Sequence, residues 1–254
     1  MKNRSAETWI GYGKDDPYFG VLSDEKYRNK NLNQEVLEEF FETGRTYVKE
    51  TGDRIAKQYG ISLENCSILD FGCGVGRLAI PFAQATQHAV VGLDISKDIL
   101  VKAKAHADSM LCANLEFIHY DGKNLPETQK FDFVHSYIVL QHIEPAIGFH
   151  LIHQLMEKVK IGGILQIQVT YGNNWPKIKY AHYYLRSTNA IYNFIYSSLK
   201  NRKLKAEPIM QMNPYSPEKL FKFFSQFSSS MHVEFTDHTG FLGASYLLKK
   251  EREI

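Results

Sequence analysis

The stretch Asp70-Phe-Gly-Cys-Gly-Val-Gly76 sets an acid directly before three glycines at alternate positions, Gly72, Gly74 and Gly76. Ile68-Leu69 ahead of it reads as the end of a buried strand, and the apolar run behind it, through about Ala85, reads as a helix. Glycine adopts positive φ without strain and has no Cβ to hold a ligand off the backbone. The first N–H groups of the following helix are unpaired and carry partial positive charge. Such a loop can hold a phosphate, a ribose or a carboxylate. A dinucleotide loop needs a glycine five positions after the first, where this chain has Arg77, and no Gly-Lys-Ser/Thr follows to make a triphosphate loop.

Other polar residues stand at matching places. Asp94 closes the apolar run that begins at His88, 18 residues after Gly76, and its two carboxylate oxygens match the two hydroxyls of a ribose. Asp121-Gly122 follows the run from Leu115 to Tyr120, and His135 closes the run from Phe131. His142 comes a short loop later, and an imidazole has a pKa suited to taking up a proton. His150 and His153 share a helix face with Glu157, but that face points away from the other polar residues, so no metal site is expected there.

The elements that must position these residues alternate. Strands are expected at 67–70, 88–94, 115–120, 131–135 and 164–170, with helices between them and Gly162-Gly163 turning the chain into the fifth. Connections of that length make a parallel sheet covered by helices on both faces, an α/β fold. Ligands bind such sheets outside the strands' carboxyl ends, where Asp70, Asp94, Asp121 and His135 all fall. A long amphipathic helix spans Asn33 to Gly60, weakened by Gly44 and Gly52. Residues 1–33 read as an irregular or loosely helical arm carrying Trp9, Tyr12, Tyr18, Phe19 and Tyr27; packing on the core is the plainer role, and a flap over the site the functional one.

Residues 171–212 break the alternation. Between Lys177 and Lys205 lie seven Lys/Arg and no Asp or Glu, with tyrosines and aliphatics at helical spacing. One or two helices inserted between the fifth and sixth strands are expected, packed as a cap on the domain. The functional readings are a substrate pocket, a dimer contact, or a peripheral surface drawn to anionic lipid or polyanion. A helix at 216–227 and a hairpin of 231–235 with 244–249, joined through Thr239-Gly240, complete a seven-stranded, mostly parallel sheet.

Composition narrows the class. A 44% hydrophobic content with 13% aromatic is that of a folded protein, and a net charge of +2 gives no strong nucleic-acid signal. Cys66, Cys73 and Cys112 lack disulfide or metal-ligand spacing and point to a reducing compartment. With a polar N-terminus and no run of membrane-spanning length, a cytoplasmic location is expected.

The D-x-G-x-G-x-G loop, with Asp94 and Asp121 following in order, resembles the class I S-adenosylmethionine (SAM)-dependent methyltransferases, well over 65–170 and loosely in the terminal strands. The resemblance implies SAM as cofactor, S-adenosylhomocysteine as product, and a seventh strand added antiparallel. The domain would span residues 34–254, with the arm at 1–33. Asp70, Gly72, Gly74 and Gly76 would meet the methionine part, Asp94 the ribose, and Ile95, Asp121 and Gly122 the adenine, with Ser136 a further cofactor contact. His142, above the expected methyl position, is the candidate general base for in-line O-methylation of a small molecule or glycan. Gln141, Tyr12, Tyr18, Tyr171 and His238 are weaker substrate candidates. The Asn/Asp-Pro-Pro-Tyr of amide methylation and the Pro-Cys of RNA carbon methylation are absent after the fourth strand; Asn213-Pro-Tyr215 follows the insertion instead. Action on RNA or protein, or SAM binding without transfer, is the alternative.

Overall fold

The computed structural model describes residues 4–202, 204 and 208–253. At its centre β1 (Ile68–Phe71) is buried along its whole length, as a strand covered on both faces must be. It pairs in parallel with β2 (Val90–Asp94) on one side and β4 (Phe131–Ser136) on the other. Beyond β2 lies β3 (Leu115–His119); beyond β4 lie β5 (Val159–Asn173), β7 (Phe241–Lys249) and, at the edge, β6 (Met231–His238), giving the order 3-2-1-4-5-7-6. β7 runs antiparallel to both of its neighbours, which makes it the one reversed strand of the seven. The strand order turns around between β1 and β4, and that is where their carboxyl ends open a crevice.

Side chains alternate across the sheet. Leu69, Phe71 and Val134 face a core with α6 (Pro145–Glu157) and α9 (Pro217–Phe224). Ile68, Val90 and Phe133 face the opposite core, under α3 (Gln34–Tyr59) and α4 (Ala79–Ala85). The helix α5 (Lys97–Ser109) starts at Ser96, whose hydroxyl accepts from the Ile99 N–H, and packs Ile99 and Ala107 inward. Gly60, at φ +68°, ends α3 as expected. Gly44 neither breaks nor bends the reading of that helix as one element: an added Cβ would lie 2.0 Å from the Arg77 carbonyl oxygen, so the glycine lets α3 approach the glycine loop.

Three expectations change. The arm is regular rather than loose, forming α1 (Arg4–Asp15) and α2 (Pro17–Val21), because its aromatics find the core: Tyr18 and Tyr27 pack edge-on to Phe40. Gly162, at φ +81°, makes an irregularity inside a longer β5 rather than a turn ahead of it. The insertion holds the two helices expected, α7 (Lys177–Thr188) and α8 (Ala190–Asn201), but α8 is not packed down as a cap: Ile191, Ile195 and Leu199 are 74%, 53% and 77% exposed. Lys203 and Lys205 of the basic stretch lie outside the described residues.

Candidate active site

The glycine loop folds as its composition dictates, with Gly72, Gly74 and Gly76 at φ +78°, +55° and +88°. It forms one wall of a cleft of about 920 Å³, part of it open to solvent, at the carboxyl ends of β1, β2 and β4. Asp70, Gly72, Gly74, Asp94, Ile95, Gly122 and His142 all line this cleft. Sequence reasoning placed all seven as site residues, and the fold brings them together.

Asp70 is paired across the sheet with His135, its register partner on β4. The Nδ1–Oδ1 distance is 2.8 Å, and the Nε2 of the same ring lies 3.0 Å from the Tyr47 hydroxyl on α3. That leaves Asp70 Oδ2 buried with no partner. Arg77 is a second buried charged group with an unpaired atom. It is 6% exposed, its Nη1 donates to Thr43 Oγ1 at 3.3 Å, and its Nε has no partner. No acid pairs with it among the described residues, and burial lowers its pKa without discharging a group of such high intrinsic value. One unpaired carboxylate oxygen and one unpaired guanidinium nitrogen therefore share one cleft wall.

Asp94 accepts from the Gly74 N–H at 3.0 Å with one oxygen and from the Ser96 N–H at 2.9 Å with the other. Burial nonetheless raises its pKa to about 6. Each oxygen keeps a second lone pair for a ligand hydroxyl. His142 is 4% exposed, and its Nδ1–H donates to the Gln211 carbonyl at 2.7 Å. A carbonyl only accepts, so the proton sits on Nδ1 and Nε2 keeps its lone pair, 3.3 Å from the Gln141 amide nitrogen. Burial pushes the imidazole down to about 4. It is neutral at neutral pH.

Other expected residues lie outside the cleft. Asp121 is exposed, and its Oδ1 accepts from the Lys123 and Asn124 N–H groups at 2.8 and 3.0 Å, which makes it the cap of its own turn. Ser136 is buried with its Oγ unpaired and does not line the cleft. Tyr12 donates to the Pro208 carbonyl and Tyr18 bonds His106, so both hydroxyls serve packing of the arm. Tyr171 packs beside Phe235, and Gln141 accepts from Thr170 behind His142. His238 touches the Tyr137 ring, which itself lines the cleft. His150 and His153 bond Asn124 and Glu157 on the exposed face of α6, and no group of three or more metal-ligating side chains occurs among the described residues.

The sequence reading missed Arg77 as a site residue, and with it Trp9, Tyr137 and Val139. Arg77 was visible as the residue that replaces a glycine; only the fold shows that it is buried and unpaired. The Trp9 ring packs tilted against His142 with centroids 4.8 Å apart, and the Ser5 hydroxyl donates to the His142 carbonyl, so α1 forms the cleft's outer wall. Asn213-Pro-Tyr215 clamps the loop after β4: the one Tyr215 hydroxyl proton is shared between the carbonyls of Leu140 and Ile143, 2.9 and 3.0 Å away.

Residues 68–163 match the protein family described as a methyltransferase domain, and the fold is that of the class I, Rossmann-like type. The ubiquinone biosynthesis O-methyltransferase of Hydrogenovibrio crunogenus is 29% identical over 150 residues, 54% of this chain and 60% of that one. The mitochondrial protein of the same description from Schizosaccharomyces pombe is 41% identical over 102 residues, 39% of this chain and 35% of that one. The chain thus spans less than two thirds of the length of either relative. Among solved structures, magnesium protoporphyrin IX methyltransferase from Synechocystis, with bound S-adenosylhomocysteine, aligns at a TM-score of 0.62 and 17% identity over 97% of this chain and 100% of the other, a likeness of fold.

Proposed function

We propose that this chain is a SAM-dependent methyltransferase that methylates an acidic, phenol-like hydroxyl of a small molecule. The carrying observation is the pair of orphaned buried groups beside the glycine loop, Asp70 Oδ2 and Arg77 Nε. A free α-amino-acid end, with one ammonium and one carboxylate, is the ligand chemistry that satisfies both at once. Asp94 supplies acceptors for ribose hydroxyls, and Ile95 and Gly122 line the remaining cofactor side of the cleft. Asp121 shapes its loop through Oδ1.

SAM, when bound, supplies an electrophilic methyl group on a sulfonium. The protein's task is to place a nucleophile in line and to take its proton. His142 is suited to the second task once a substrate hydroxyl displaces the Gln141 amide from Nε2, since Gln211 fixes the ring's proton on Nδ1 and leaves Nε2 as the acceptor nitrogen. With a pKa of about 4, however, it is a weak base. A weak base is better matched to a hydroxyl already acidic, near the phenol value of about 10, than to a sugar alcohol. Trp9, Tyr120 and Tyr137 give the cleft aromatic walls suited to a ring. The description of the bacterial and fungal relatives as O-methyltransferases of ubiquinone biosynthesis supports the same acceptor class. The segment 1–33, whose α1 and α2 wall the cleft, acts in this reading as a cover over the bound cofactor.

Titration calorimetry with SAM, followed by an S-adenosylhomocysteine assay against catechols, phenols and sugars, tests the proposal. Product formed only when a catechol or phenol is present is the expected result. Turnover with sugars alone would replace the acceptor class, binding without any turnover would leave a SAM-binding protein, and absence of SAM binding would overturn the reading altogether.

A further inference from the structure

The insertion between β5 and β6 presents a surface that the methyl-transfer chemistry does not use. α7 and α8 form a hairpin around Asn189, which ends one helix and caps the other by accepting from the Tyr192 N–H at 3.0 Å. One side of α7 is anchored: the Tyr183 hydroxyl donates to the Met210 carbonyl and accepts from the Met212 N–H, and its ring meets Trp175 and Phe241. The rest of the hairpin packs on itself, through His182 with Tyr192 and Arg186 over the Tyr196 ring.

What remains outward is apolar and basic. Ile191, Ile195 and Leu199 recur every four residues and so form one stripe along α8, with Ile178 and Leu185 exposed on α7. Around them stand Lys177, Lys179, Arg186, Lys200 and Arg202, none of which meets an acidic side chain among the described residues. The sequence holds no Asp or Glu anywhere between Lys177 and Lys205. An apolar stripe flanked by unopposed cations is complementary to a layer whose surface is anionic and whose interior is hydrocarbon. A second copy of this chain fits poorly, because two such faces would bring like charges together. No described helix is long and apolar enough to cross a membrane, which leaves a surface contact.

We propose that the α7–α8 hairpin docks this protein on an anionic phospholipid bilayer, with Ile191, Ile195 and Leu199 in the interfacial layer and the surrounding cations on the headgroups. The contact has a route to the active site. Tyr183 holds the residues on either side of Gln211, and Gln211 holds His142, so the docked hairpin adjoins the strap that sets the base.

The experiment is co-sedimentation of the full chain with vesicles of phosphatidylcholine alone and of phosphatidylcholine with about one-third phosphatidylglycerol, at low and raised salt. Partitioning is expected to be at least roughly tenfold stronger on the anionic vesicles and to fall with salt. The double variant I195D/L199D should lose most of it, and Lys177→Glu and Lys200→Glu should each lower it roughly fivefold or more. These side chains are exposed, so circular dichroism and SAM affinity should stay as in the parent. Equal partitioning on both vesicles, or partitioning unmoved by the double variant, overturns the proposal. So does concentration-dependent self-association that the double variant abolishes while vesicle binding is absent, since the face would then be a contact between copies.

Discussion

The Nδ1–H of His142 donates to the main-chain carbonyl of Gln211 at 2.7 Å, across 69 residues of chain. The loop after β4 is thereby tied to the far end of the insertion, and Tyr215 ties it again from below through Leu140 and Ile143. A side chain held this way has one tautomer and one orientation. Burial then sets its strength, pushing the imidazole to about 4.

Replacing His142 with Ala should lower kcat by about 10²–10⁴-fold if the imidazole takes the proton. SAM affinity should hold to within about a factor of two, because affinity rests on Asp70, Arg77 and Asp94, a group apart. The wild-type acid limb of kcat/KM against pH should fall near 4, not near the ordinary histidine value. Steady-state kinetics with a catechol acceptor measures both. Unchanged turnover in the variant would leave His142 a structural residue.

The pH dependence of stability should conceal two opposed contributions. His142 has a folded pKa of about 4 against an ordinary 6.5, so the unfolded chain binds its proton first and stability falls as pH drops from 6.5 toward 4. Asp94 has a folded pKa raised to about 6 from 3.8, so its protonated form favours the fold and stability is lost as pH rises from 3.8 through 6. Each is worth on the order of 3 kcal/mol over its window, and the two slopes run against each other. Denaturant melts of D94N should show stability falling more steeply below pH 6 than in the parent. H142Q should show the reverse slope. Parallel profiles for all three proteins would mean that these groups are not held as buried as the structure has them.

Arg77→Met should separate binding from stability. The guanidinium is buried without a contacting acid, so an apolar side chain of similar length should leave the ligand-free protein about as stable as the parent, or more so by about 1–3 kcal/mol. SAM affinity should drop by about 10–100-fold, the worth of a charge-assisted hydrogen bond. Thermal melts with and without SAM test both halves. An affinity equal to the parent's would remove Arg77 from the cofactor site.

Much of this arrangement was legible in the sequence. Alternating apolar runs placed all seven strands, and the strand-end rule gathered Asp70, Asp94, Asp121 and His135 at one edge, of which Asp70 and Asp94 line the cleft, because strand periodicity and crossover length are local signals. What was not legible depends on distant packing. Asp121 was expected on the ligand, but a residue that can bond its own turn two and three positions on does so without any tertiary partner. Arg77 gave no sign of burial, since that follows from α3 lying against it at Gly44. The exposed stripe of α8 had the same periodicity as a packed one; only the structure shows that nothing among the described residues covers it.

Ile138 has φ +59°, a left-handed backbone that a β-branched side chain adopts at a cost of about 1–3 kcal/mol. It lies on the cleft between Tyr137 and Val139, and its N–H donates to Gln168 Oε1 at 3.3 Å. Val139 in turn packs on Gly72, where an added Cβ would meet it at 2.2 Å. The turn at Ile138 therefore aims Val139 into the glycine loop on one side and leads to His142 on the other. Ile138→Gly removes the Cβ clash but also the apolar side chain that helps hold the turn. Relief of strain should raise the unfolding free energy by up to about 1 kcal/mol net of the glycine's entropy. Because glycine lets the turn sample other conformations, kcat should fall by about tenfold while SAM affinity moves less. Ile138→Asn, which tolerates the left-handed region and restricts it better than glycine, should recover part of the lost rate. If both variants kept the parental rate, the strained turn would have no part in setting the distance between the glycine loop and His142.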